Sequence, residues 1–170
     1  MKNIFYVVVL TVVFTSCQKQ AKIGFVDNGT LINDYQKKKD LEAKFELKEQ
    51  AFRKKFDSIE NAFQIEAQKF QMEANRMAQT SAQQKYQELT QQRQIIDQQK
   101  QVEAQQFQQE FQTEIDTLIV AVKKFVKEYG KKNGYTYILG TSDAAATVLY
   151  GTKENDLTKT ILDDLNECCR

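Results

Sequence analysis

The sequence holds no histidine and no proline. Its six glycines are confined to two stretches near the ends: Gly24 and Gly29, then Gly130, Gly134, Gly140 and Gly151. Each shortage excludes something. Without histidine, neither a Ser-His-Asp nor a Cys-His nucleophilic site can be assembled. A zinc site within one chain cannot be completed from Cys168 and Cys169. Strings of the form G-x-x-x-x-G-K or G-x-G-x-x-G are also missing, which leaves no case for nucleotide binding. The carboxylates closest in sequence, Asp163, Asp164 and Glu154, read as solvent-facing charges, because consecutive helical residues point apart. The expectation is a protein that is not an enzyme and needs no cofactor and no metal.

Net charge is scarce too. The chain carries 24 basic and 23 acidic residues, and removing the first sixteen takes away only Lys2. The two signs are mixed along the sequence as on an ordinary solvated helix face. Taken over the whole chain, this balance gives no electrostatic case for nucleic acid or for an anionic membrane.

With neither Gly nor Pro between Gly29 and Gly130, nothing interrupts a helix there. Apolar residues in the first half fall at Leu41, Phe45, Phe52, Phe56, Ile59, Phe63, Phe70 and Met77, a heptad rhythm with skipped positions. A second series runs through Tyr86, Leu89, Ile96, Phe107, Phe111, Ile115, Leu118, Val122, Phe125 and Tyr129. The series are dense at their outer ends and thin toward the middle. "AQTSAQ", residues 78–83, lies near the centre and suits a reversal. The pattern predicts an antiparallel helical hairpin with arms of roughly 70 Å. The competing arrangement, one continuous helix in a parallel coiled coil, would hold its register through Thr80, and this sequence does not. Within the returning arm, Gln91–Gln112 is half glutamine, so the seam there is thin and most of the surface has no intramolecular partner.

The ends read differently. "KIGFVD" alternates and stops at Asp27-Asn28-Gly29, as a strand running into a turn does, and a short helix is expected over residues 30–35. After "YGKKNGY", which supplies basic residues and a glycine for a helix C-terminus, "YTYILG" and "TVLYG" read as strands. Asp156 is a plausible N-cap for a last amphipathic helix carrying Leu157, Ile161, Leu162 and Leu165. Strands at both ends can meet only if the hairpin returns the chain to its start. A body this small, with perhaps three strands and open sheet edges, is marginal alone, so self-association is expected.

The N-terminus begins with Lys2 and an apolar run from Ile4 to Phe14, too short to span a bilayer core of about 30 Å. It reads as a secretory signal peptide. Thr15-Ser16-Cys17 resembles a lipobox, which would make Cys17 the acylated first residue of the mature protein. The "QKQ" that follows, without an acidic residue, favours the inner leaflet of the outer membrane. Cys168 and Cys169 are adjacent, a spacing that rarely closes into a disulfide, and read as part of a tail.

The opening "KIGFVD" with Tyr35 after it, the polar hairpin, "GYTYIL", "VLYG" and "NDLTKTILDDLN" together resemble the Skp/OmpH family of periplasmic chaperones. The resemblance implies an α+β fold in which a long antiparallel helical hairpin is inserted in a small β body with a C-terminal helix. It also implies that three bodies assemble into a β-barrel, with the hairpins as tentacles around a cavity. Residues 1–16 would be the signal peptide, 17–21 a lipid-anchored linker, 22–36 and 130–170 the oligomerisation body, and 37–129 the arm. Ile23, Phe25, Tyr137, Leu139, Val148 and Tyr150 would belong to the shared body. Met72, Met77, Tyr86 and Leu89, near the hairpin tip, are candidates to touch an unfolded outer-membrane protein. The activity implied is ATP-independent holding of such clients in the periplasm. The competing function is a lipid-anchored coiled-coil spacer or adaptor of the envelope. The family's binding of lipopolysaccharide or anionic lipid does not carry over, since its characterised members are basic and this chain is neutral.

Overall fold

The computed structural model describes residues 20–142 and 147–168. Strand β1 (Ile23–Asp27) leads into a short helix α1 (Asn28–Asn33), and α2 (Gln36–Glu73) then runs out to a single 3-10 turn at Ala74–Arg76. Helix α3 (Gln79–Lys132) returns, followed by β2 (Tyr137–Thr141), a 3-10 turn at Lys153–Asn155 and helix α4 (Thr158–Cys168). At 1.5 Å per residue α2 is about 57 Å long and α3 about 81 Å. The arms are therefore unequal, where equal ones were expected: the last turns of α3 continue past the hairpin and into the body. The reversal also falls earlier than "AQTSAQ". It occupies residues 74–78, with Met77 extended, and residues 79–83 already form the first turn of α3.

Helix ends are set locally. Asp27 Oδ1 accepts from Thr30 N–H at 2.9 Å, capping α1. The first N–H of α2, on Gln36, donates to Asn166 Oδ1 at 3.0 Å, so a side chain of the last helix caps the outgoing arm. Helix α3 ends in a Schellman motif. Tyr135 N–H reaches Gly130 O at 2.9 Å, Gly134 N–H reaches Lys131 O at 3.3 Å, and Gly134 takes φ +70°. A side chain at Gly134 would be strained by that φ.

β1 and β2 pair in parallel, Ile23 with Tyr137 through Asp27 with Thr141, and the whole hairpin is the connection between them. In a parallel pair, partners point to the same side. Val26 and Ile138 face inward, while Ile23, Phe25, Tyr137 and Leu139 share the other face. The inner face packs on a core of Val26, Leu31, Tyr35, Leu157, Ile161 and Leu165. Leu118 and Val122 of α3 are in the same core, so the returning helix supplies one wall of the body. The body as read from sequence, residues 22–36 and 130–170, did not include these two.

"TVLYG" is not a strand. Among the described residues the sheet has two strands. The far side of β1 is occupied by the segment before α4: Leu157 N–H donates to Phe25 O at 2.9 Å, and Asp156 forms an isolated parallel bridge with Phe25. Thr158 Oγ1 accepts from Asp27 N–H at 2.9 Å and donates to Asp156 Oδ1 at 2.6 Å, which ties the end of β1 to the start of α4. Val148 and Tyr150 thus have β-prone side chains, but the free edge of β1 is already taken.

Candidate functional site

The hairpin has two kinds of surface, and the seam is the first. Phe45 lies edge-on to Phe107 and Phe111, with ring centroids 5.4 and 5.0 Å apart, and Phe52 sits 4.8 Å from Phe56. Such edge-to-face pairs add to area burial. Leu41, Phe45, Phe56, Leu89 and Ile96 are buried, so the heptad positions read from sequence are the helix–helix contact. Between Ile96 and Leu118 no residue of α3 is fully buried, because Phe107 and Phe111 are only half covered.

Ion pairs flank that seam and fix its register. Toward the body α2 supplies the cations: Lys44 to Glu114 at 3.1 Å, Lys48 to Glu110, and Lys55 to Glu103 at 2.6 Å. Toward the tip the sense reverses, with Lys100 to Glu60 and Lys85 to Glu66, both at 2.7 Å. The hydrogen bonds and charges of their lysine partners hold Glu60, Glu66, Glu103 and Glu110 below the ordinary carboxylate value. The bond to Glu66 pushes Lys85 up. The reversal of sign along the arm favours this one antiparallel alignment over a slipped one.

The second surface is apolar and exposed. Near the tip Met72 is 73% exposed and Tyr86 65%, with Met77 less so. Leu89 is only 7% exposed and belongs to the seam, which separates it from the other three sequence candidates. Phe63, Ala67, Phe70, Tyr86, Leu89 and Arg93 line a groove of about 400 Å³ there, with the Arg93 guanidinium 5.8 Å from the Phe63 ring. The heptad series passes over further exposed residues: Leu47 and Ile65 on α2, and Ile95, Val102 and Val120 on α3. Leu47 and Ile65 are eighteen residues apart, as are Val102 and Val120, so each pair shares a helix face. Both faces point away from the seam. The signal that could have found them was their failure to fit the heptad.

The body has its own exposed apolar face. Ile23 is 45% exposed, Tyr137 60% and Leu139 37%, all on the outer side of the sheet. Phe25 is half-buried because its ring lies over Gly151, where a Cβ would collide with it. Val148 is half-buried, and Leu149 and Tyr150 project almost fully into solvent. Cys168 is exposed. The signal peptide, Cys17 and Cys169 lie outside the described residues. Among the described residues no group of cysteines and carboxylates is arranged to hold a metal ion, and no helix is long and apolar enough to cross a membrane.

The chain is thus a small α/β body carrying one long, polar, thinly packed helical hairpin, with apolar groups left open on both parts. The chain belongs to the family of OmpH-like outer membrane proteins, whose model matches residues 22–165. Among solved structures, the chain is similar to a candidate outer membrane chaperone (OmpH-like) from Caulobacter crescentus. The TM-score is 0.78 at 11% identity, over 88% of this chain and 86% of that one. At that identity the likeness is one of fold. No curated protein matches the chain.

Proposed function

We propose that this protein is an ATP-independent holdase of the periplasm, which binds unfolded outer-membrane proteins between its helical arms and keeps them from aggregating. The observation that carries this reading is the pattern of isolated, solvent-exposed apolar side chains on a hairpin whose remaining surface is polar. Family membership supports the same reading. An unfolded β-barrel precursor exposes alternate apolar side chains and unpaired strand edges, and aggregates through both. Single apolar groups set among glutamines provide many weak contacts. Their avidity retains a client while each contact exchanges.

In this proposal the active species is a homotrimer. Its supports are the exposed sheet face of Ile23, Tyr137 and Leu139, the outer edge of β2 in a two-stranded sheet, and the projecting Leu149 and Tyr150. Cys17 would carry the lipid that tethers the assembly to the inner leaflet of the outer membrane. Met72, Met77 and Tyr86 are the client-contacting residues of choice, while Leu89 belongs to the seam. The hairpin brings the two end strands together, an arrangement that a coiled-coil spacer would not need.

The test starts from the chain beginning at Gln18. Its mass in solution is measured, and a urea-unfolded outer-membrane protein is diluted into it without ATP. Trimers that keep the client soluble near one trimer per client are expected. Met72→Ser combined with Tyr86→Ser should weaken holding severalfold while changing stability by less than about 0.5 kcal/mol, since both side chains are exposed. A monomer, or an elongated dimer without effect on aggregation, would sink the proposal.

A further inference from the structure

The glutamines of the returning arm are not scattered. Gln84, Gln87, Gln91, Gln94, Gln98, Gln101, Gln105, Gln108 and Gln112 follow one another in alternating steps of three and four. Apolar residues at that spacing make a helix seam, and here it sets all nine glutamines on one stripe of α3. The stripe contains no charged residue and is exposed along its whole length. At 1.5 Å per residue it runs for about 42 Å. The seam with α2 takes other positions, Leu89 and Ile96, which are buried.

The side chains of the stripe are also unused. Gln112 donates to Asp116 Oδ1 at 2.9 Å, whereas the other eight make no side-chain hydrogen bond among the described residues. Glutamines off the stripe are engaged: Gln36 donates to Asp40 at 2.8 Å, Gln99 donates to Glu103 at 2.9 Å, and Gln92 bonds Glu66. A carboxamide offers N–H donors and a carbonyl acceptor, the same groups that a peptide bond offers. Ile95 lies four residues from Gln91 and three from Gln98, and Val102 stands in the same relation to Gln98 and Gln105, so both flank the stripe. Both are exposed.

We propose that this stripe holds one extended segment of an unfolded polypeptide by its backbone. The free carboxamides pair with unsatisfied peptide N–H and C=O groups, while Ile95 and Val102 receive apolar side chains. The supports are hydrogen-bonding complementarity, the absence of charge, and length. A stripe of about 42 Å matches about twelve extended residues, and a strand that spans a membrane in a barrel has about 9–11. The proposal rests on the holdase reading and deepens it: the tip residues bind through apolar side chains, the stripe through peptide groups that every client has. Each such bond replaces one to water for a small net gain, so a row of them retains a segment and still lets it go.

The experiment adds two oligomers of about twelve residues to the isotope-labelled chain beginning at Gln18, a length set by the strand rise. One is made of glycine and serine, with backbone N–H groups and no apolar side chain. The other is made of N-methylglycine, with the same carbonyls and no backbone N–H. The first should shift the side-chain amide resonances of Gln91, Gln98 and Gln105, and the second should shift them severalfold less. Their signals are identified by their loss in the triple variant Gln91→Ala, Gln98→Ala and Gln105→Ala. That variant should hold an unfolded outer-membrane protein on the order of tenfold more weakly than the parent. Alanine is the better helix former and enlarges the apolar surface, so α3 persists and plain apolar adhesion predicts the opposite sign. The control, Gln50→Ala with Gln64→Ala and Gln68→Ala on α2, should hold as the parent does. Equal shifts with both oligomers, undiminished holding by the first variant, or an equal loss in the control would overturn the proposal. So would shifts on diluting the protein alone, which would give the stripe to a second copy. The oligomer comparison uses no outer-membrane protein, which keeps the two readings apart. A parent that holds the client but ignores the glycine–serine oligomer refutes the stripe alone; one that binds the oligomer but lets the client aggregate refutes the holdase reading.

Discussion

The body and the arm are made by the same chain under opposite rules. In the body, apolar side chains from every element converge: Leu31 is 1% exposed, Ile161 0% and Leu165 2%. In the arm, α2 and α3 meet along one line, and most other positions face water. The body is compact because its elements come from distant parts of the sequence. The arm persists because its helices consist of strong helix formers, pack through aromatic rings and are clamped at one end by the body. Order in a helix therefore need not come with a core of its own.

That contrast can be broken most forcefully in the seam. Phe56 is 1% exposed and in contact with Phe52, and Phe56→Ala should cost about 3–5 kcal/mol in the arm. The loss should stay local. Amide exchange should accelerate on both helices outward from residue 56, while the amides of β1, β2 and α4 keep their protection. Uniform loss of protection throughout the molecule would show instead that arm and body unfold as one unit. Ile161→Ala tests the other side, at about 2–5 kcal/mol. Because Ile161 is at the centre of a small core, the body should unfold at lower denaturant, and the self-association proposed for it should be lost with it. The far-UV helical signal of the arm should outlast them. Retention of self-association in this variant would argue that assembly does not depend on the body core.

The smallest effect expected is electrostatic. Glu60, Glu66, Glu103 and Glu110 are held below the ordinary value of 4.5, so their contribution is fully present above that value and is lost as pH falls through their lower folded values. Lys85 is raised above 10.5, so its contribution is present below that value and is lost only as pH rises further. Arm stability should therefore be flat between these limits and decline below the carboxylate range. All these groups face solvent, so the decline should be slight and should shrink in high salt. A steep loss of helicity near neutral pH would contradict this assignment.

The seam could be read from sequence because it obeys a period: Leu41, Phe45, Phe56, Leu89 and Ile96 are buried where the heptads put them. The reversal at residues 74–78 was harder, since no Gly or Pro marks it. Where a polar helical sequence turns depends on how the two seams align, which is a long-range matter. Val148 and Tyr150 failed as a strand for a related reason. Their β propensity is real, but propensity needs a partner edge, and Asp156 and Leu157 have taken the one that β1 offers. Of the tip candidates, Tyr86 and Leu89 stand a heptad step apart in one series, so periodicity did not separate the buried Leu89 from the exposed Tyr86. The exposed residues Leu47, Ile65, Val102 and Val120 were hidden because a search for regularity discards whatever breaks it.

The parallel pairing of Ile23 with Tyr137 carries a consequence for how the molecule is made and how it can vary. Strands more than a hundred residues apart meet slowly when the intervening chain is free, because closing so large a loop is entropically unfavourable. Once α2 and α3 zip together from their local turn, the ends arrive almost side by side and the loop is effectively short. The arm is thus also the folding jig of its own body. The jig tolerates only matched changes. Seven residues added to α2 would have to be answered by seven in α3, or the strands would miss their register. Arm length should therefore drift among relatives in paired heptads, letting the reach of the molecule change while the sheet at its base stays as it is.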